Sequence, residues 1–148
     1  MQSKPSRLLP HPYGGTFKKD TLTSADIIQA VSEKIRDIRQ LVSYVSVVPD
    51  KTPPGKECLE VKFSASDKSD QLLQEIVQDV TKKYDLKDAR LFHAIGDIKI
   101  DDDLILAVAV GKDRKSTFKA IQEMIIAAKN QAEIRTIYVL SDGSTINL

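Results

Sequence analysis

Leu104-Ile105-Leu106-Ala107-Val108-Ala109-Val110 is the longest wholly apolar run in the chain. Successive residues of a strand point to opposite faces of a sheet. A strand of this composition must therefore be covered on both sides, as central strands are. The run is far short of the ~20 residues that span a bilayer. It reads as the middle of a soluble domain, and the rest of the chain is arranged around it.

Upstream, Asp101-Asp102-Asp103 forms an acidic turn. Before that turn, Ala89–Ile95 reads as a strand broken by Gly96, and Ile98–Ile100 as a short alternating piece. Downstream, Gly111-Lys112-Asp113-Arg114-Lys115 leads into a helix marked by Phe118, Ile121, Met124, Ile125 and Ala128. Ile134–Leu140 and Thr145–Leu148 flank a Ser141-Asp142-Gly143-Ser144 turn and predict a terminal hairpin.

The first half repeats the same grammar. Ile27, Ile28, Val31, Ile35 and Ile38 lie at helical spacing behind a Thr23/Asp26 capping box. Leu41–Val48 and Cys58–Phe63 read as strands separated by a Pro49–Gly55 loop, whose prolines cannot continue a ladder. Leu72, Leu73, Ile76, Val77, Val80 and Tyr84 mark a helix with Ser69 or Asp67 as its N-cap. Residues 1–19 hold Pro5, Pro10, Pro12, Gly14 and Gly15 without periodicity and are expected to form a flexible or surface arm. Helices fall singly between runs of strands. That order predicts one α+β domain over residues 20–148, with three helices and a mixed, mainly antiparallel sheet.

The whole chain has 148 residues, 41% hydrophobic and 29% charged, a globular composition for one domain. Lys and Arg number 22 against 21 Asp and Glu, which gives no electrostatic case for a nucleic-acid partner. No apolar stretch suggests a signal peptide or a membrane partner. The lone Cys58 cannot form an internal disulfide. A cytoplasmic protein is expected.

Familiar chemical motifs are missing. There is no phosphate-cradling Gly-x-x-x-x-Gly-Lys loop, and the two histidines, His11 and His93, do not make a metal cluster. Neither a metal nor a cofactor is expected. Asp101–Asp103 could attract a hard cation, but a solvated turn between apolar strands explains it better. Lys112, Asp113, Arg114 and Lys115 stand where a helix begins, and its unpaired N–H groups favour an anion. The competing reading makes Asp113 a helix cap with exposed cations around it. Lys129, in the last turn of the same helix, has a plain role in complementing the helix dipole. His93 reads as a hydrogen-bonded structural histidine and Cys58 as a small buried hydrophobe.

From Leu59 onward the sequence resembles the large, catalytic subunit of molybdopterin synthase. The resemblance rests on Gln74-Glu75-Ile76-Val77, Phe92-His93-Ala94-Ile95-Gly96-Asp97-Ile98, Leu104–Val110, Asp113-Arg114-Lys115-Ser116-Thr117-Phe118, Ala128-Lys129 and Asp142-Gly143-Ser144, in order and closely spaced. It implies an α/β-hammerhead-like fold and sulfur transfer to cyclic pyranopterin monophosphate. The sulfur would arrive as a thiocarboxylate on the Gly-Gly tail of a small ubiquitin-like subunit. It further implies a homodimer with one small subunit at each outer end, a heterotetramer in all. Lys129 falls on the family's main catalytic lysine. Arg114 falls on its motif arginine, with Lys112, Asp113 and Lys115 beside it as the substrate-binding group.

The chain also departs from that pattern. Asp113 stands for a histidine, Ala94 for an arginine, Thr136 for a second active-site lysine, and Val47-Val48-Pro49-Asp50 carries no arginine. Two readings follow, beside a third in which an unrelated α+β interaction domain shares only fold-like spacing. One is an active, divergent sulfur transferase resting on Lys129 and Arg114. The other is a non-catalytic paralogue that binds a ubiquitin-like partner or a phosphorylated ligand.

Overall fold

The computed structural model describes residues 13–49 and 55–147. Its elements are β1 (Gly14–Lys18), α1 (Ser24–Lys34), β2 (Gln40–Val47), β3 (Cys58–Ser64), α2 (Ser69–Lys83), β4 (Asp88–Lys99), β5 (Asp103–Gly111), α3 (Arg114–Gln131), β6 (Arg135–Leu140) and β7 (Thr145–Asn147). The class is α+β, with three helices on one seven-stranded sheet ordered β2-β5-β4-β3-β6-β7. β1 joins β4 in parallel, and every other pairing is antiparallel.

β5 is covered on both faces, as its composition demands. Leu106, Val108 and Val110 pack with Ile27 and Val31 of α1 and with Phe92 and Ala94 of β4. Ile105, Ala107 and Ala109 face the opposite way, against Leu73 and Val77 of α2 and Ala120, Ile121 and Met124 of α3. Small alanines on that face let both helices lie close to the sheet. Tyr84 and Lys83 at the end of α2 reach Glu123 of α3 at 2.5 and 2.6 Å, tying the two helices together.

The capping box is present: Asp26 N–H donates to Thr23 Oγ1, and Thr23 N–H donates to Asp26 Oδ2, at 3.1 and 3.0 Å. The helix it opens ends at Lys34, so Ile35 and Ile38 pack against the core from the segment that follows.

Four local expectations are corrected. Gly14–Lys18 of the expected arm is a strand, with Phe17 in the core, because parallel pairing to Leu91–Ile95 satisfies its backbone. Residues 1–12 lie outside the described residues, as do 50–54 of the proline loop. Gly96 does not break its strand. At φ +95° it lies where β4 leaves β1 and β5 and takes β3 as partner, a backbone that glycine adopts without cost. The N-cap of α2 is Lys68, with no side-chain cap; the Ser69 hydroxyl instead accepts from Ser66 N–H at 2.9 Å. Phe118, placed on the core stripe by its spacing, is 56% exposed.

The acidic turn holds itself. Asp101 takes the left-handed conformation, and the Asp102 carboxylate accepts from Lys99 N–H at 2.9 Å while pairing with Lys19 at 3.0 Å. Among the described residues no helix is long and apolar enough to cross a membrane.

Candidate functional site

α3 packs on β5 and β2, and its C-terminal end comes beside residues of β5 and of β6, two strands that do not pair with each other. Ala128 is buried there, and Lys129, one residue on, stands at the surface of a cleft of about 500 Å³. The floor of the cleft comes from register: His93 pairs with Ile105 across β4 and β5, and Phe63 pairs with Thr136 across β3 and β6. All four residues line the cleft, with Ser46, Leu104 and Tyr138 among its other lining residues. A second cleft of about 630 Å³, more polar, is lined by Ser64, Ser66, Asn130, Glu133 and Arg135. The two share Lys129 and Ile134 and so meet at the lysine.

His93 is buried, and its ring meets Phe63 edge-on with centroids 5.1 Å apart. Its Nδ1 lies 2.7 Å from Ala94 O. A carbonyl can only accept, so the proton sits on Nδ1 and Nε2 keeps its lone pair. Burial holds the His93 pKa below its ordinary value. The Ala94 hydrogen bond opposes that shift, and the nearby Lys129 charge adds to it. His93 is therefore neutral at physiological pH. Burial also raises the Tyr138 hydroxyl, with Cys58 contributing. Cys58 itself is buried, its thiol 3.4 Å from Pro49 O.

Thr136 lines the same cleft as Lys129, while its neighbour Arg135 lines the other one. That division follows from strand alternation and keeps Arg135 from replacing a cation at position 136.

The remaining residues nominated from the sequence lie elsewhere. Lys112, Asp113, Arg114 and Lys115 surround the N-terminus of α3. Fifteen helical rises separate Arg114 from Lys129, about 22 Å. Asp113 is the N-cap, accepting from Ser116 N–H at 2.8 Å and from its hydroxyl at 3.0 Å. The Ser116 N–H is the main cause that holds this carboxyl below the usual range. Lys112 is paired with Asp85. Arg114 and Lys115 are exposed. Within one chain, then, the structure brings Lys129 together with His93, Thr136 and Tyr138, and not with the 112–115 group. Sequence reasoning missed Tyr138 and the outlook of His93, because only cross-strand register puts them beside a helix end.

Residues 17–131 match the MoaE protein family, and the chain belongs to it. No curated protein matches the chain in sequence. Among solved structures it is similar to molybdopterin synthase from Staphylococcus aureus, with 17% identity and a TM-score of 0.78 over 90% of this chain and 95% of that one. It is also similar to the molybdopterin biosynthesis MoaE protein from Burkholderia ambifaria, with 14% identity and a TM-score of 0.75 over 91% of this chain and 88% of that one. A third similar structure is the complex of subunits 1 and 2 of molybdopterin-converting factor from Helicobacter pylori, with 15% identity and a TM-score of 0.70 over 90% of this chain and 88% of that one. At these identities the likeness is one of fold.

Proposed function

We propose that this chain acts in molybdenum cofactor biosynthesis as a molybdopterin synthase large-subunit-like sulfur transferase. It would accept sulfur from the thiocarboxylated tail of a small ubiquitin-like subunit and deliver it to cyclic pyranopterin monophosphate. Family membership supports the pathway, and the observation that carries the reaction is Lys129 at the meeting of two clefts. One cleft can admit an extended tail while the other holds what reacts with it. Lys129 is then the residue that polarises the thiocarboxylate carbonyl, or whose amine attacks it, the N–C bond forming as the C–S bond breaks and sulfur leaves as hydrosulfide with the amine's proton. In the half-apolar surroundings of the cleft, a positive charge acts more strongly on a developing oxyanion than it would in water.

The substrate-binding role of Arg114, Lys112, Lys115 and Asp113 belongs to the same proposal, on one condition. A ligand that touches Lys129 cannot also touch residues about 22 Å along the same helix. These residues serve the reaction from a second protomer, which is the use that a homodimer gives them.

The test is a reconstituted assay with the thiocarboxylated small subunit and the pyranopterin substrate, read as dithiolene product. Lys129→Ala is expected to abolish product, and full activity in that variant removes the lysine from the mechanism. Thr136 in the cleft favours a second reading, a paralogue that binds the small subunit without turnover. That reading takes over if the wild-type protein binds the partner and forms no dithiolene.

A further inference from the structure

His93 is a buried polar group that the proposed sulfur transfer does not use. The residue is only 5% exposed, and its single hydrogen bond runs from Nδ1 to Ala94 O. Among the described residues, every side-chain nitrogen or oxygen sealed from solvent has a partner. Nε2 has none among them, so it is not sealed, and the cleft is the space that the ring lines. The imidazole is thus held in one tautomer, with its free lone pair on a ring that lines the same cleft as Lys129. Lys129 can only donate and a neutral Nε2 can only accept. A ligand that satisfies both must offer an acceptor for the lysine and an N–H or O–H donor for the histidine.

We propose that His93 is a ligand-binding acceptor that takes the last amide N–H of a peptide whose terminal carboxyl or thiocarboxyl group faces Lys129. The inference rests on the reading above, in which a partner's tail enters this site. A peptide suits the geometry for two reasons. The two clefts meet at Lys129, so an extended chain can lie along the polar one and end in the other. The final amide N–H of such a chain lies one residue from its carboxyl group, whereas a phosphate group offers no N–H. The apolar walls, Phe63, Leu104 and Ile105 among them, make an unmatched Nε2 costly and a matched one selective.

Binding of a synthetic peptide ending in Gly-Gly, measured by calorimetry, tests this with two histidine variants and one altered peptide. His93→Leu removes the acceptor and is expected to weaken binding about fivefold to tenfold. His93→Gln keeps an acceptor and should stay within about twofold of wild type. Methylating the last amide nitrogen of the peptide should weaken wild-type binding as much as His93→Leu does, and should weaken that variant no further. Wild-type affinity should also fall as pH drops through the lowered histidine pKa, a loss that His93→Gln does not show. The other titratable groups facing the clefts are Lys129, Tyr138, Arg135 and Glu133. A pH-dependent loss that His93→Gln shows equally belongs to one of these groups and not to the imidazole. Equal losses from N-methylation in wild type and His93→Leu overturn the proposal, as does a His93→Gln that binds as weakly as His93→Leu. If His93→Leu does not fold, the two peptides on wild type decide alone, and equal affinity overturns it. A wild-type protein that binds neither peptide overturns the tail-binding reading itself, and this inference with it.

Discussion

A methyl group on Gly111 would lie 2.2 Å from Thr117 Oγ1, far inside contact distance. Thr117 cannot step aside easily. It is fully buried, and its hydroxyl donates to Asp113 O at 2.5 Å, closing the first turn of α3. Gly111→Ala is therefore expected to destabilise the protein by about 1–3 kcal/mol in urea unfolding, the usual cost of overpacking. Adding Thr117→Ala removes the colliding oxygen, so the double variant should lose less than the sum of the two single ones. Strict additivity would mean that the collision is not the cause. Single residues also mark what can be read in advance. Lys129 was legible because its place in an ordered string of motifs nominates it. The lone pair of His93 was not, since its direction depends on a backbone bond to Ala94 and on the pairing of two strands.

Among the elements, α3 carries the most testable electrostatics. The Asp113 carboxylate accepts the Ser116 N–H and hydroxyl, and these bonds favour its charged form. A carboxyl whose folded pKa is depressed contributes stability above its unfolded pKa and loses that contribution as pH falls through the folded value. Asp113→Ala should therefore be less stable than wild type at neutral pH. The difference should persist down to about pH 4, where an ordinary Asp titrates. Below that it should shrink as wild type loses its charged cap. Urea midpoints across this range check it, and a difference independent of pH would show that the cap acts without its charge. The same helix start was open to two readings from spacing, anion site or cap, and the hydrogen bonds to Ser116 supply the cap. Helical stripes and the central strand were legible because burial imposes periods of 3.6 and 2. β1 and the partner change at Gly96 were not, because pairing over long sequence distance leaves no local period. An N-cap such as Lys68, with no side-chain bond, leaves no signature either.

At the scale of the whole molecule, near-neutrality conceals a separation. The chain carries a net charge of +1, yet its candidate cations sit in two groups at opposite ends of α3. Lys129 stands over the cleft with neutral His93, while Arg114 and Lys115 are exposed beside the capped N-terminus about 22 Å away. An 18-residue α-helix cannot bring its ends together while it stays helical, so the two groups of one chain remain apart. Under the proposed sulfur transfer, the two groups act on one ligand only across a two-fold axis, and mixing variants tests that directly. Homodimers of Lys129→Ala and of Arg114→Ala should each lack activity, since every site in them misses one group. Random exchange of protomers makes about half of the dimers mixed, and each mixed dimer contains one site with both groups intact. Dissociating and reassociating an equal mixture should thus restore about a quarter of wild-type dithiolene formation. A mixture as inactive as its components would show that the 112–115 group does not reach its partner's cleft. An Arg114→Ala homodimer with full activity would remove that group from the reaction and leave Lys129 as its one essential cation.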